Sequence, residues 1–234
     1  MPITFRKAER KQAKIRLALV APSGYGKTFS ALLIAKGLGG KVAVVDTENG
    51  SADLYADKFE FDVLTMNPPY DPEKYMMAIE AAEDAGYEIL IIDSLSPAWG
   101  VLLERQSAIA GKTGNNFASW RDITPVHKKL LQKIIHSKIH IITTMRSKTV
   151  WVVDNGRPVK IGLAPEQRPG IDFEFTALLE LDKDHNAHCS KDRTGLFDKK
   201  VTPMTENVGV EIKQWLEIGK PSQSEQPENQ ITKN

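Results

Sequence analysis

Residues 21–28 read Ala21-Pro22-Ser23-Gly24-Tyr25-Gly26-Lys27-Thr28 and run on into Phe29. These are the residue types that grip a polyphosphate. Gly24 and Gly26 permit positive φ, which turns successive backbone N–H groups onto one anion. A helix opening here adds the partial positive charge of its N-terminus. Lys27 has the reach for β- and γ-phosphates, and the Thr28 hydroxyl can ligate Mg2+. The usual pattern opens on glycine. Ala21 stands in that place here, and its side chain is small enough for the turn. The alternative is a glycine-containing turn that happens to carry a lysine. The apolar runs on either side, 15–20 and 29–38, predict strand, loop and helix, which is the setting a triphosphate-binding loop requires.

Two carboxylates stand where hydrolysis would need them. Asp93 ends the apolar run Ile89-Leu90-Ile91-Ile92 and is followed by Ser94. At the end of a buried strand beside the loop, it can hold a metal's water shell; the competing role is a cap on the next turn. Glu48 lies in Asp46-Thr47-Glu48-Asn49-Gly50, just past a valine-rich strand. There it can accept a proton from water aligned on a γ-phosphate, or simply belong to a polar loop.

The elements that must position these groups alternate along the chain. Strands are expected over 41–46, 61–66, 88–93 and 139–145. Helices are expected from Asp71-Pro72 to Gly86, from Ser96-Pro97, and from Thr124-Pro125. This order predicts an α/β fold with a mostly parallel sheet flanked by helices. Towards the C-terminus the pattern becomes antiparallel. A hairpin closed by Asn155-Gly156 is expected, then a second pair over 175–181 and 187–191, and finally an amphipathic helix over 205–218. Residues 1–14 read as a basic lead-in, either a helix or a frayed terminus, and 220–234 as a disordered tail; 15–219 form the domain between.

Loop, glutamate after the second core strand, and Asp-Ser after a hydrophobic strand together resemble the RecA-like P-loop ATPases over roughly 15–181. The small size, the Asp-Thr-Glu-Asn-Gly segment and the polar stretch after Met145 are most similar to phage-encoded Sak-type RecA-core annealing and recombination proteins. The resemblance implies ATP and Mg2+ as cofactors, Glu48 as catalytic base and Asp93 with Thr28 at the metal. It also implies assembly into a ring or filament on single-stranded DNA, with a single-strand DNA-binding protein as a possible partner. Thr144 matches the family's glutamine that senses the γ-phosphate; its shorter reach weakens the expected coupling between nucleotide and DNA. Lys191 and Arg193, in Lys191-Asp192-Arg193-Thr194-Gly195, resemble the finger of DnaB-type helicases, which reaches a neighbouring subunit's γ-phosphate. As ordinary residues they are a charged hairpin edge.

Two segments match the family's DNA-facing loops in place. One, 111–122, carries Lys112, Phe117, Trp120 and Arg121; the other, 146–170, carries Arg146, Lys148, Arg157, Lys160 and Arg168. Aromatic rings between cations suit single-strand binding. Trp120 could equally anchor the next helix, and the cations could be solubilising charge. Net charge is +1, so a nucleic-acid contact has to come from such local patches. The single cysteine, Cys189, rules out an intrachain disulfide and fits a reducing cytoplasm, that of a bacterial host if the gene is phage-borne. No run is apolar enough to span a bilayer, and no membrane partner is expected. A DnaB-like helicase core or loader, and a nucleotide-dependent scaffold without DNA, remain as alternatives.

Overall fold

The computed structural model describes the backbone of residues 5–154 and 157–220 and, outside 150–162, their side chains. The expected Asn155-Gly156 turn, the tail beyond Lys220, and the side chains of Arg157 and Lys160 lie outside the described residues. The elements run β1 (Arg16–Ala21), α1 (Lys27–Leu38), β2 (Val42–Asp46), β3 (Asp62–Thr65), α2 (Pro72–Asp84) and β4 (Ile89–Asp93). Then come α3 (Ser96–Thr113), α4 (Asn116–Ile135), β5 (His140–Asp154), β6 (Arg157–Pro165), β7 (Ala177–Leu181), β8 (Asn186–Asp192), β9 (Val201–Pro203) and α5 (Glu206–Glu217).

The strands lie in the order β3-β2-β4-β5-β1-β7-β8-β9, with β6 attached to β5 as a hairpin. Pairing is parallel from β3 through to β7, and antiparallel for β5–β6, β7–β8 and β8–β9. The expected architecture is the observed one: a mostly parallel α/β sheet with antiparallel strands towards the C-terminus. Every residue of β1 and β4 is buried, because helices cover both faces. Alternation then splits the core. Leu17 and Leu19 face α1 and α5, joining Ile34, Leu38, Ile212 and Leu216. Ala18 and Val20 face the other way, with Tyr75, Ile79, Leu130 and Ile134 from α2 and α4.

Helix α5 closes the first layer by backbone contact. A Cβ on Gly37 would lie 2.0 Å from the Glu206 carbonyl oxygen, and one on Gly209 would lie 2.1 Å from that of Ile34. Neither position has room for a side chain, so α1 and α5 meet glycine to glycine.

Two local expectations are corrected. Of the two readings of the basic lead-in, helix or frayed terminus, the helix does not form over its described part, residues 5–14. Lys11 bridges in parallel to Lys220, while the Arg10 guanidinium donates to the Trp215 carbonyl at 2.7 Å and sits 4.6 Å from that ring's centre. Pairing with the C-terminal end satisfies backbone groups that a short helix would leave open at its ends. Helix α4 begins at Asn116, not at Thr124-Pro125. The Asn115 side chain accepts from the Ala118 N–H at 2.9 Å and caps the helix, leaving Pro125 inside it. Segment 111–122 is therefore mostly helical, interrupted at Gly114 and Asn115.

His140, at the head of β5, accepts the Ile15 N–H on Nδ1 at 3.1 Å. Burial, assisted by Lys14, Arg16 and Lys213, pushes its pKa down to about 3. A base held neutral in the fold must take up a proton on unfolding below pH 6.5, so its stabilising contribution is full above that pH and declines as pH falls towards the folded value. Urea unfolding should therefore show a loss of about 2 kcal/mol attributable to this group between neutral pH and pH 5. His140→Asn keeps an acceptor but does not titrate, and should lose correspondingly less over that range. An equal loss in both proteins would contradict the assignment.

Candidate functional site

Strand β1 delivers the chain to the loop fully buried at Ala21, and the loop turns on Gly24 (φ 82) and Gly26 (φ 76). Helix α1 then opens at Lys27 with Gly26 as its cap, no side chain capping it and no acidic residue in its first turn. The Ser30 N–H bonds back to Gly26, so the amides before it face the loop without helical acceptors. This is an anion cradle. The Lys27 ammonium donates to the Pro22 carbonyl at 2.9 Å, folded over the cradle it would serve. Burial pushes its pKa down, opposed by the nearby charges of Glu48 and Asp93.

Asp93 is 1% exposed, and both its oxygens have hydroxyl donors. Thr28 donates to Oδ2 at 2.6 Å, and Thr144 donates to Oδ1. Burial drives its pKa up; the two hydroxyls act against that, and the charges of Glu48 and Asp46 add to it. Metal and sensor candidates thus share one carboxylate. The Mg2+ implied by a P-loop fits this donor set: a hydroxyl and a carboxylate, both hard oxygen ligands, beside the phosphate cradle. Among the described residues no cluster of three or more His, Cys, Asp or Glu offers another metal site.

Glu48 is placed by a residue that the spacing of the motif does not mark as functional. Asp46, with no exposure, accepts the N–H of Glu48 at 2.6 Å and of Ala52 at 3.1 Å, folding the loop back on the end of β2. Thr47 ties that loop to the end of β4 through the Asp93 carbonyl and the Ser94 N–H. Alternation of buried and polar residues could have singled out Asp46, since it ends an apolar strand just as Asp93 does. Glu48 lines a cavity of about 460 Å3 together with Gly24, Lys27, Thr28, Phe29, Tyr55, His185 and Met204. His185 comes from the β7–β8 turn; its ring bonds the Tyr25 carbonyl and lies 2.7 Å from where a Cβ on Gly26 would be. No local motif around His185 announced that contact, which arises from sheet topology.

The remaining candidates divide. Phe117, Trp120, Arg121, Lys148 and Arg168 line one groove of about 1000 Å3 with Trp99 and Gln167. Phe117 is 89% exposed, whereas Trp120 stacks on Trp99 at 5.9 Å and has the Arg168 guanidinium 5.6 Å from its ring centre. Anchoring therefore accounts for Trp120, and Phe117 is the free ring. Lys112 is exposed in the last turn of α3, outside this lining. Arg146 lies apart, bonded to Glu48. Lys191 pairs level with Leu178 and so with Ala18, about 10 Å back along β1 from the loop. Its ammonium donates to the Asp172 carbonyl and Arg193 to that of Phe173, so neither reaches its own chain's cradle. Cys189 packs against the core, as expected of a structural thiol.

A family profile described as an AAA domain matches residues 13–200. No curated protein matches the chain. A solved structure titled "Crystal structure of the RadB recombinase" aligns at 19% identity over 78% of this chain and 83% of that one, with a TM-score of 0.43, a likeness of broad outline. No helix among the described residues is long and apolar enough to cross a membrane.

Lys27→Ala should abolish binding of a fluorescent ATP analogue. Glu48→Gln should keep that affinity within a few-fold and lower turnover by roughly 10^2–10^4, the usual contribution of a positioned base. Unchanged turnover in Glu48→Gln would remove this residue from the chemistry.

Proposed function

This chain belongs to that AAA-domain family, a family of P-loop ATPases, and from that premise we propose that it hydrolyses ATP with Mg2+ on single-stranded DNA, in recombination or annealing of the phage RecA-core kind in a bacterial cytoplasm. One observation carries the reading. The amide cradle, Lys27, the Thr28–Asp93 pair and Glu48 converge at one end of the sheet, with the cradle, Lys27, Thr28 and Glu48 around one cavity.

In this mechanism the backbone from Ser23 to Thr28 binds the β- and γ-phosphates, and Lys27 leaves the Pro22 carbonyl to pair with them. Thr28 and Asp93 would hold Mg2+, which when bound would supply neutralisation of the phosphate charge. Thr144 orients Asp93 and, through it, senses whether the γ-phosphate is present. Glu48 takes a proton from the water that attacks the γ-phosphorus, and the bond to the bridging oxygen breaks to give ADP and phosphate.

The groove beside α4 supports the DNA half. An exposed Phe117 next to Arg121, Lys148 and Arg168 joins a stacking face to phosphate partners. Lys112, Arg157 and Lys160 lie in the same two sequence segments and are further candidates for contact with the strand. The Trp99–Trp120–Arg168 stack favours a second reading, a nucleotide-dependent scaffold without DNA, because it uses two of the rings and a cation within the fold. Lys191 and Arg193 lie away from their own cradle, which supports service to a neighbouring subunit in a ring or filament.

ATP turnover with and without poly-dT separates these readings. Stimulation is expected, with Phe117→Ala weakening single-strand affinity by about 1–3 kcal/mol, the worth of one stacked base; indifference to poly-dT would favour the scaffold. Arg193→Ala should be inactive alone and regain turnover when mixed with Glu48→Gln, since a shared site then combines one intact residue from each chain. No recovery on mixing would leave the finger role without support.

A further inference from the structure

The turn that joins β7 to β8 is knit together around one acid. The Asp182 carboxylate accepts the N–H groups of Asp184 and Asn186 at 2.9 and 3.0 Å, and holds the His188 ring at 2.9 Å. His185, the last residue of that turn, is pinned on both sides. Its N–H donates to the Asp182 carbonyl at 3.2 Å, and its own carbonyl accepts the Met204 N–H at 3.1 Å. Its φ is 61°, in the left-handed region that suits glycine or asparagine and strains other residues. Strain at such a place points to a use for the side chain.

That side chain lies on the phosphate loop. Nδ1 is 3.2 Å from the Tyr25 carbonyl, which can only accept, so Nδ1 carries the ring's proton. Nε2 has no partner among the described residues. Nδ1 and Cε1 lie 2.7 and 3.0 Å from where a Cβ on Gly26 would be, so the loop needs glycine there for space as well as for its φ of 76°. The exposed ring lines the same cavity as Gly24, Lys27 and Glu48.

With its Nδ1–H committed, a neutral His185 offers the cavity only an acceptor. Taking up a proton turns Nε2 into a donor and puts a positive charge on the lip of an anion cradle. The charges around it are Lys27 from α1, Glu48 from the loop after β2, and Asp182, Lys183 and Asp184 from its own turn; Met204 contributes none. Lys27 opposes a second cation beside it, and a polyphosphate with several negative charges reverses that balance.

We propose that His185 is a further polyphosphate-binding residue, a proton-dependent clamp that holds the loop at Tyr25 through Nδ1 and meets the ligand's phosphate oxygens through protonated Nε2. The inference rests on the reading of the cradle as a triphosphate site. Binding and protonation are then linked: a ligand that favours the charged ring binds more tightly as pH falls.

The test is displacement of a fluorescent ATP analogue by inorganic tripolyphosphate, which has no nucleoside to stack on the ring. It is run with Mg2+ near pH 8 and near pH 6 on the full wild-type chain, His185→Asn and His185→Gly. Both replacements suit the left-handed backbone and neither titrates, while asparagine can still donate to the Tyr25 carbonyl. The ligand's own protonation affects every protein equally, so the ratio of wild-type to variant affinity is the readout. From pH 8 to pH 6 that ratio should grow in the wild type's favour by about two- to fivefold for each variant, the worth of one exposed ion pair. His185→Asn should melt no lower than the wild type, because the backbone strain is relieved; a lower melting temperature would assign the ring to packing instead. A ratio that stays constant between the two pH values overturns the clamp and leaves the cradle in place. Failure of the wild-type chain to bind either the analogue or tripolyphosphate overturns the cradle and the clamp together.

Discussion

A single buried carboxylate sets the geometry of this molecule's working end. Asp93 has almost no solvent, and burial opposes its charge; it is kept by hydroxyls from two different elements. Thr28 comes from the first turn of α1, and Thr144 from β5, so satisfying one side chain fixes a helix start against the end of β4 and against β5. Leaving such a group without a donor costs far more than one hydrogen bond contributes. Its neighbour across the β2–β4 register, Asp46, meets the same demand with two backbone amides and folds the Glu48 loop in doing so. Two adjacent buried acids are tolerable because each has its own donors, and each set of donors places a candidate site residue.

The rest of the architecture holds that end still. Leu17 and Leu19 on one face of β1, and Ala18 and Val20 on the other, bind the loop-bearing strand into both core layers. The Gly37–Gly209 contact presses α5 on α1, the helix whose N-terminus forms the cradle. β5 leaves the parallel stack after Arg146 and becomes one strand of the hairpin with β6, so the root of that hairpin lies within bonding distance of the Glu48 loop.

Much of this was legible in the residues. The loop declared itself because Gly24, Gly26, Lys27 and Thr28 combine backbone freedom with a cation and a hydroxyl at fixed spacing. β4 reads as a continuous apolar run, as a strand covered on both faces must, β2 as a valine-rich one and the first half of β5 as a buried strand, and Asp93 stood out as the charge that ends β4. What stayed hidden depended on distant contacts. Helix α4 starts early because Asn115 caps it and Trp120 finds Trp99, and Pro125, read as a helix start, is carried inside. The lead-in is tied down by Lys220 and Trp215, some two hundred positions away. His185 at the cradle and Arg146 on Glu48 are likewise products of strand order, which local periodicity does not encode.

The central claim is that the amides around Gly24 and Gly26, with Lys27, hold a triphosphate whose metal rests on Thr28 and Asp93. The most direct measurement is a calorimetric titration of the purified wild-type chain with a non-hydrolysable ATP analogue, in Mg2+ and again in excess EDTA. The account predicts saturable binding at one site per chain that weakens strongly when the metal is withdrawn. Absence of saturable heat in Mg2+, at protein concentrations that would reveal micromolar affinity, would contradict it.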